Sequence, residues 1–196
     1  MQFGSNTPRL ETERLILRRF VLSDAEDLFR ILSDEEVNRF LPWFAHRSVA
    51  ETRAWLAEDV FPDYRKPVAY RYALERKGEN RVVGYLSLLG IDAAERCGEV
   101  GYGLLREGWG QGLMTEACLA LFAQLRRDGF RYATATHDAE NPASGRVMQR
   151  CGMRYVRSYP ERWQPKDKDV VFRLYRIAWD GTETVCRPGE KPNRPP

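Results

Sequence analysis

Residues 97–117, from Cys97 to Ala117, read CGEVGYGLLREGWGQGLMTEA, and the chain is best understood outward from them. An apolar, strand-like run leads through Arg106 into three spaced glycines, Gly108, Gly110 and Gly112, and then into a helix-forming segment. Glycine lets the main chain approach a ligand where a side chain would stand in the way. The loop amides and the first turn of the following helix then point at one place, where the helix dipole also favours negative charge. The stretch therefore predicts a backbone-lined site for a phosphate-bearing ligand.

The kind of ligand narrows by exclusion. A dinucleotide fingerprint needs glycines at i, i+2 and i+5, and counting from Gly101, Gly108 or Gly110 lands on Arg106, Leu113 or Thr115. A nucleoside-triphosphate loop needs Gly-Lys-Ser/Thr, and no glycine here is followed by lysine. A glycine cluster before a helix can also be only a tight turn. A second motif bears on that choice: Asn141-Pro142-Ala143-Ser144-Gly145-Arg146-Val147-Met148-Gln149-Arg150-Cys151-Gly152-Met153 lies downstream. Together with Trp109-Gly110-Gln111-Gly112-Leu113-Met114-Thr115-Glu116-Ala117 it resembles the GNAT acetyltransferases, in particular their RimJ/RimL branch, over about residues 12 to 180.

That resemblance implies an α/β (α+β) GNAT fold: a mixed, mostly antiparallel sheet of six to seven strands, helices on both faces, and a splay between strands four and five. It implies acetyl-CoA as donor, leaving as coenzyme A, and a primary amine as acceptor, either a protein N-terminus or a small molecule. By the same resemblance the main chain of Leu104 and Leu105 binds the pantetheine amides, and the amides of Trp109, Gly110, Gln111, Gly112, Leu113 and Met114 hold the pyrophosphate. Arg106 meets a phosphate or is simply solvated; Asn141 touches pantetheine or only caps its helix. Catalytic candidates are Glu99 as base or amine anchor, Ser144 as proton donor to the thiolate, and His137, whose alternative is a structural role beside Asp138. The tyrosine acid of many members has no counterpart, since Met148 stands in its slot. Acceptor binding is expected from Trp43, Phe44, Tyr159 and Trp163, in or near loops, and less firmly from Tyr102, which strand alternation turns away from Glu99 unless a bulge intervenes. Gln164 and Glu161 lie beside them.

Composition fits a soluble globular protein. The 196 residues are 43% hydrophobic and 30% charged, with a net charge of +3, which argues against a nucleic-acid coat or a polybasic membrane anchor. No window approaches the roughly 18 apolar residues of a membrane span, and MQFGSNTPRLETERL has no signal-like core, so a cytoplasmic location is expected. Four separated cysteines and two histidines offer neither a disulfide framework nor a metal site.

Periodicity gives the rest. Strands are expected at 13–20, 70–76, 81–91, 98–105, 131–136, 155–159 and 170–179, the second and third joined at Lys77-Gly78-Glu79-Asn80. Capping boxes at Ser23 and Ser48 open two helices around the aromatic loop Phe40-Leu41-Pro42-Trp43-Phe44. The helix after Gly112 is apolar almost all round and so expected to bury more than one side. Asn141, Pro142 and Gly152 bracket a further helix. The chain divides into an extension at 1–11, a domain at 12–182 and a proline-rich tail at 183–196 whose composition predicts disorder. Monomer and homodimer are both compatible with the pattern. A non-catalytic acyl-CoA sensor and an acyl-CoA hydrolase are the alternatives to a transferase.

Overall fold

The computed structural model describes residues 3–181; the tail and Cys186 lie outside the described residues. A short strand β1 (Leu10–Glu11) and β2 (Leu15–Arg18) are followed by helices α1 (Ala25–Leu32), α2 (Glu35–Asn38) and α3 (Val49–Trp55). Beyond α3 the helix widens into a π turn at Leu56–Val60 and tightens into a 3-10 turn at Phe61–Arg65. The hairpin β3 (Tyr70–Arg76) and β4 (Arg81–Asp92) leads to β5 (Cys97–Leu104), α4 (Leu113–Arg127), β6 (Tyr132–Asp138) and α5 (Pro142–Arg150). A second hairpin, β7 (Arg154–Trp163) and β8 (Lys168–Ala178), completes the domain.

The eight strands form one sheet in the order β1-β2-β3-β4-β5-β6-β8-β7. One more strand is present than the sequence pattern gives, because two-residue β1 is too short to show alternation. Every neighbouring pair is antiparallel except β5 and β6, the fourth and fifth strands by sequence pattern. These two are parallel and share a single register pair, Glu99 with Thr134, closed below by Arg131 N–H on the Arg96 carbonyl at 2.8 Å. Past that point the strands separate, and this is the expected splay.

Two cores lie on opposite faces. One packs Val100, Leu104 and the α4 and α5 side chains, with Tyr102 against it; the other packs α1 and the turn after α3 against Ala73, Val82, Tyr85 and Leu105. Alternation along β5 thus divides the functional residues between the faces.

Local chemistry accounts for most boundaries and corrects some expectations. At Ser48 half of the box forms: its hydroxyl accepts from Glu51 N–H at 3.1 Å, while the Glu51 carboxylate accepts from Arg47 N–H at 2.7 Å rather than from Ser48. The box at Ser23 does not form: Asp24 instead accepts from Val21 N–H at 2.9 Å and pairs with Arg18, whose guanidinium outbids a serine cap. Helix α4 buries one broad face rather than several, since Leu119 on its back is 48% exposed. The two apolar stripes read from its sequence are adjacent and point the same way. The N-terminal segment is knit into the domain: Ser5 Oγ, the Tyr70 hydroxyl and Gln124 Nε2 all donate to Asp128 Oδ2, at 2.6, 2.5 and 2.9 Å.

Candidate active site

Among the described residues, the splay is where two long neighbouring strands of the sheet share only a single register pair. Its floor is set by register. Leu105 donates its N–H to the Val83 carbonyl at 2.8 Å, and in an antiparallel ladder this turns the main-chain groups of Leu105 and Gly103 toward β4. Leu104 and Tyr102, one residue out of phase, turn theirs toward β6 and the gap. The expectation for Leu105 is therefore corrected: its amide is consumed by β4, and its side chain belongs to the α1–α3 core. The Leu104 carbonyl accepts from Trp109 Nε1 at 2.8 Å.

The glycine loop forms as its residue types dictate. Gly110 and Gly112 have φ of +74° and +78°, a region that side chains disfavour, and an added Cβ at Gly110 would meet nothing within 4 Å. The first intrahelical bond of α4 runs from Glu116 N–H to the Gly112 carbonyl at 3.0 Å, leaving the amides of Leu113, Met114 and Thr115 without a helical acceptor. Side chains stay out of the way: Leu113 and Met114 are buried in the core, and Gln111 folds back onto the Glu107 carbonyl at 2.6 Å. Arg14 fixes the loop to the sheet, donating to the Gln111 carbonyl at 2.8 Å and pairing with Glu116 at 2.7 Å. Open space, left-handed glycines and free helix amides fit a pyrophosphate. Arg106 faces elsewhere, toward Asp34 at 3.8 Å, across a groove of about 610 Å³ lined also by Arg30, Leu105, Glu107 and Trp109.

At the other end of the splay, Glu99 is half-buried and accepts from Thr136 Oγ1 at 2.6 Å. This bond holds the carboxylate in place on the α1–α3 face. On the α4–α5 face, Asn141 caps α5 by accepting from Ser144 N–H at 3.2 Å, and the Ser144 hydroxyl lies 2.9 Å from the Tyr102 hydroxyl. No bulge falls between Glu99 and Tyr102, so they face opposite ways as alternation requires, and Tyr102 meets α5 rather than the acceptor side. Thr136 and the Tyr102–Ser144 pairing have no sequence signal; each depends on which strand or helix lies alongside.

His137 is 4% exposed beneath α5, its Nδ1 2.7 Å from the Asp138 carbonyl and its Nε2 buried without a partner. Burial holds its pKa below the ordinary 6.5, against the pull of the Asp138 hydrogen bond. A Cβ on Gly145 would lie 2.7 Å from Nε2, so the imidazole supports α5 from below and does not open onto the Glu99 side of the splay. Met148, in the usual acid slot, is buried in the core. Cys97, Cys118 and Cys151 are free thiols.

The second hairpin carries Tyr159 and Trp163, two of the aromatics expected near the acceptor. Trp163 is corrected from loop aromatic to core: it ends β7, is 1% exposed, and packs tilted against Phe172 with ring centroids 5.6 Å apart, Phe40 and Tyr159 alongside. Lys166 Nζ donates to the Asn38 carbonyl at 2.8 Å, tying the hairpin tip to α2. Trp43 donates to Asn38 Oδ1 at 3.3 Å, and Trp43 and Phe44 stay exposed as their loop position predicts.

Comparison with known proteins agrees with this architecture. A family model described as an acetyltransferase (GNAT) domain matches residues 14–154. The uncharacterized N-acetyltransferase YoaA of Bacillus subtilis (strain 168) is 27% identical over 149 residues, 74% of this chain and 82% of that one. Among solved structures, RimL, a ribosomal L7/L12 alpha-N-protein acetyltransferase in complex with coenzyme A, matches with a TM-score of 0.78 at 21% identity, covering 89% of this chain and 100% of RimL. The microcin C7 self immunity acetyltransferase MccE, in complex with acetyl-CoA and AMP, matches at 0.77 and 18%, covering 86% and 94%. Identities this low establish the fold alone. Among the described residues, no helix is long and apolar enough to cross a membrane.

Proposed function

The chain belongs to the GNAT acetyltransferase family, and on that premise we propose that it moves acetyl from acetyl-CoA to a primary amine by direct attack in the β5–β6 splay. The observation that carries this reading is the placement of Glu99 with Thr136 on one side of the splay and Ser144 with Tyr102 on the other. The donor supplies an acyl carbon activated by its thioester. The chain's own task is to hold that donor, accept a proton from the amine and meet the departing sulfur.

The α4 amides and the left-handed glycines hold the phosphates, and the Leu104 main chain, facing the gap, holds the pantetheine arm once the Trp109 indole releases its carbonyl. Glu99, steadied by Thr136, attracts the cationic amine and takes its proton, so that the neutral nitrogen carries its lone pair to the acyl carbon. Ser144 donates its hydroxyl hydrogen bond to the sulfur. From the cationic amine two protons leave nitrogen: Glu99 takes the first and returns it to solvent, and the second, shed as the amide forms, is balanced by the proton that ends on sulfur, so no metal or covalent enzyme intermediate is called for.

The acceptor enters from the side of Tyr159, Trp43 and Phe44. Protein N-termini stand first among acceptors, because RimL, which shares the fold, is an alpha-N-protein acetyltransferase. The test is thiol release from acetyl-CoA against N-terminal peptides, polyamines, amino acids and aminoglycosides. Release that depends on amine is the expected result. Binding of acetyl-CoA without release would point to a sensor, and release without amine to a hydrolase.

A further inference from the structure

We propose that Tyr102 is a positioning residue that aims the Ser144 hydroxyl into the splay. The inference rests on the proposed reading of Ser144 as the group that meets the sulfur. Ser144 is the third residue of α5, in the first turn, where a serine hydroxyl readily turns back to its own backbone. Here the hydroxyl has a side-chain partner instead, and two further contacts fix the Ser144 main chain. Asn141 takes the Ser144 N–H at 3.2 Å, while the Tyr102 hydroxyl lies 3.1 Å from the Ser144 carbonyl and 2.9 Å from Ser144 Oγ.

Proton counting gives the pair two arrangements. In one, Tyr102 donates to the Ser144 carbonyl and Ser144 donates to Tyr102, so the serine proton points away from the splay. In the other, Tyr102 turns its single proton to Ser144 Oγ, which frees the serine proton for an anion in the gap. Charge growing on sulfur favours the second arrangement, and the phenol then strengthens the serine as a donor. Burial pushes the Tyr102 phenol far up, outweighing the opposing effect of its Ser144 bond. It therefore stays protonated and acts by hydrogen bonding alone. Its ring packs against the α4–α5 core, so phenylalanine can replace it with the packing kept.

The test compares Tyr102→Phe, Ser144→Ala and the double variant in amine-dependent thiol release, with calorimetry for acetyl-CoA and a thermal melt for folding. Tyr102→Phe is expected to lower kcat about tenfold with acetyl-CoA affinity within about twofold, and to add less than about twofold in the Ser144→Ala background. Wild-type turnover in Tyr102→Phe, or losses that multiply in the double variant, would overturn the inference while leaving the transferase reading intact. A second readout needs no turnover: the bound coenzyme A thiol, titrated by thiolate absorbance, should ionise at lower pH than free coenzyme A. Both single variants should return it to the free value, and an unchanged titration in either would overturn the proposal. If no amine supports thiol release, the transferase reading fails and this titration decides the role of Tyr102.

Discussion

The two ends of the splay are built by different means. The end proposed for the phosphates is main chain: two left-handed glycines, amides without a helical acceptor at the start of α4, and side chains folded away into the core or onto the loop. The end proposed for the acetyl group is side chain: Glu99 from β5, Thr136 from β6, Ser144 from α5 and Tyr102 beneath it. A site made of backbone tolerates many side chains but few changes of conformation, whereas a site made of side chains depends on each group and on whatever holds it. Substitutions at the two ends should therefore fail in different ways.

The largest effect is expected at the acetyl end. Glu99→Gln keeps the shape and the Thr136 contact but cannot take a proton, so kcat should fall on the order of a hundredfold while calorimetry finds acetyl-CoA binding unchanged. A loss of binding instead would mean that the two ends are not separable. Next comes Gly145→Ala, where the new methyl would press on His137 Nε2, 2.7 Å from the ideal Cβ position. Overpacking of this kind costs about 1–3 kcal/mol, read by urea unfolding, and displacement of α5 should lower turnover in the fraction that folds. Unchanged stability would mean that the imidazole yields freely and does not brace the helix.

At the phosphate end, Gly112→Val forces a branched residue into a φ of +78°, a conformation that costs about 1–2 kcal/mol for a residue with a Cβ. Acetyl-CoA affinity should weaken about tenfold by calorimetry, with kcat at saturation nearly preserved, the reverse of the Glu99→Gln pattern. A variant that binds normally would remove the glycine loop from the donor site.

The smallest effect concerns pH. Burial holds both His137 and His46 below the ordinary 6.5. Between the depressed value and 6.5 the unfolded chain binds more protons than the folded one, so this contribution is complete above about pH 6.5 and is lost as pH falls through that window. Urea midpoints should drop on acidification from pH 7, and His137→Gln should flatten the slope. An equal slope in the variant would assign the acid sensitivity to other groups.

Legibility in the sequence follows the same division. The seven longer strands, the α5 bracket of Asn141, Pro142 and Gly152, and the glycine loop were readable because turns, caps and alternation act over a few residues. Local reading failed where a distant partner competed: Ser23 lost its capping role to Asp24 once Arg18 was at hand, and Trp163 was drawn from an apparent loop into a core made by Val170, Phe172 and Phe40. The amide of Leu105 was taken by β4 for the same kind of reason, a register that no single strand reveals.

The order of the elements, the glycine loop and the family resemblance they carry are legible from the chain alone, since each is written in residues adjacent along it. Only the tertiary structure decided that Thr136 steadies Glu99 across 37 residues, that Tyr102 reaches Ser144 across 42, and that His137 faces α5 rather than the Glu99 side of the splay. Those contacts depend on which face a residue takes and on where β5 and β6 part, and both are fixed only when the whole sheet has found its register.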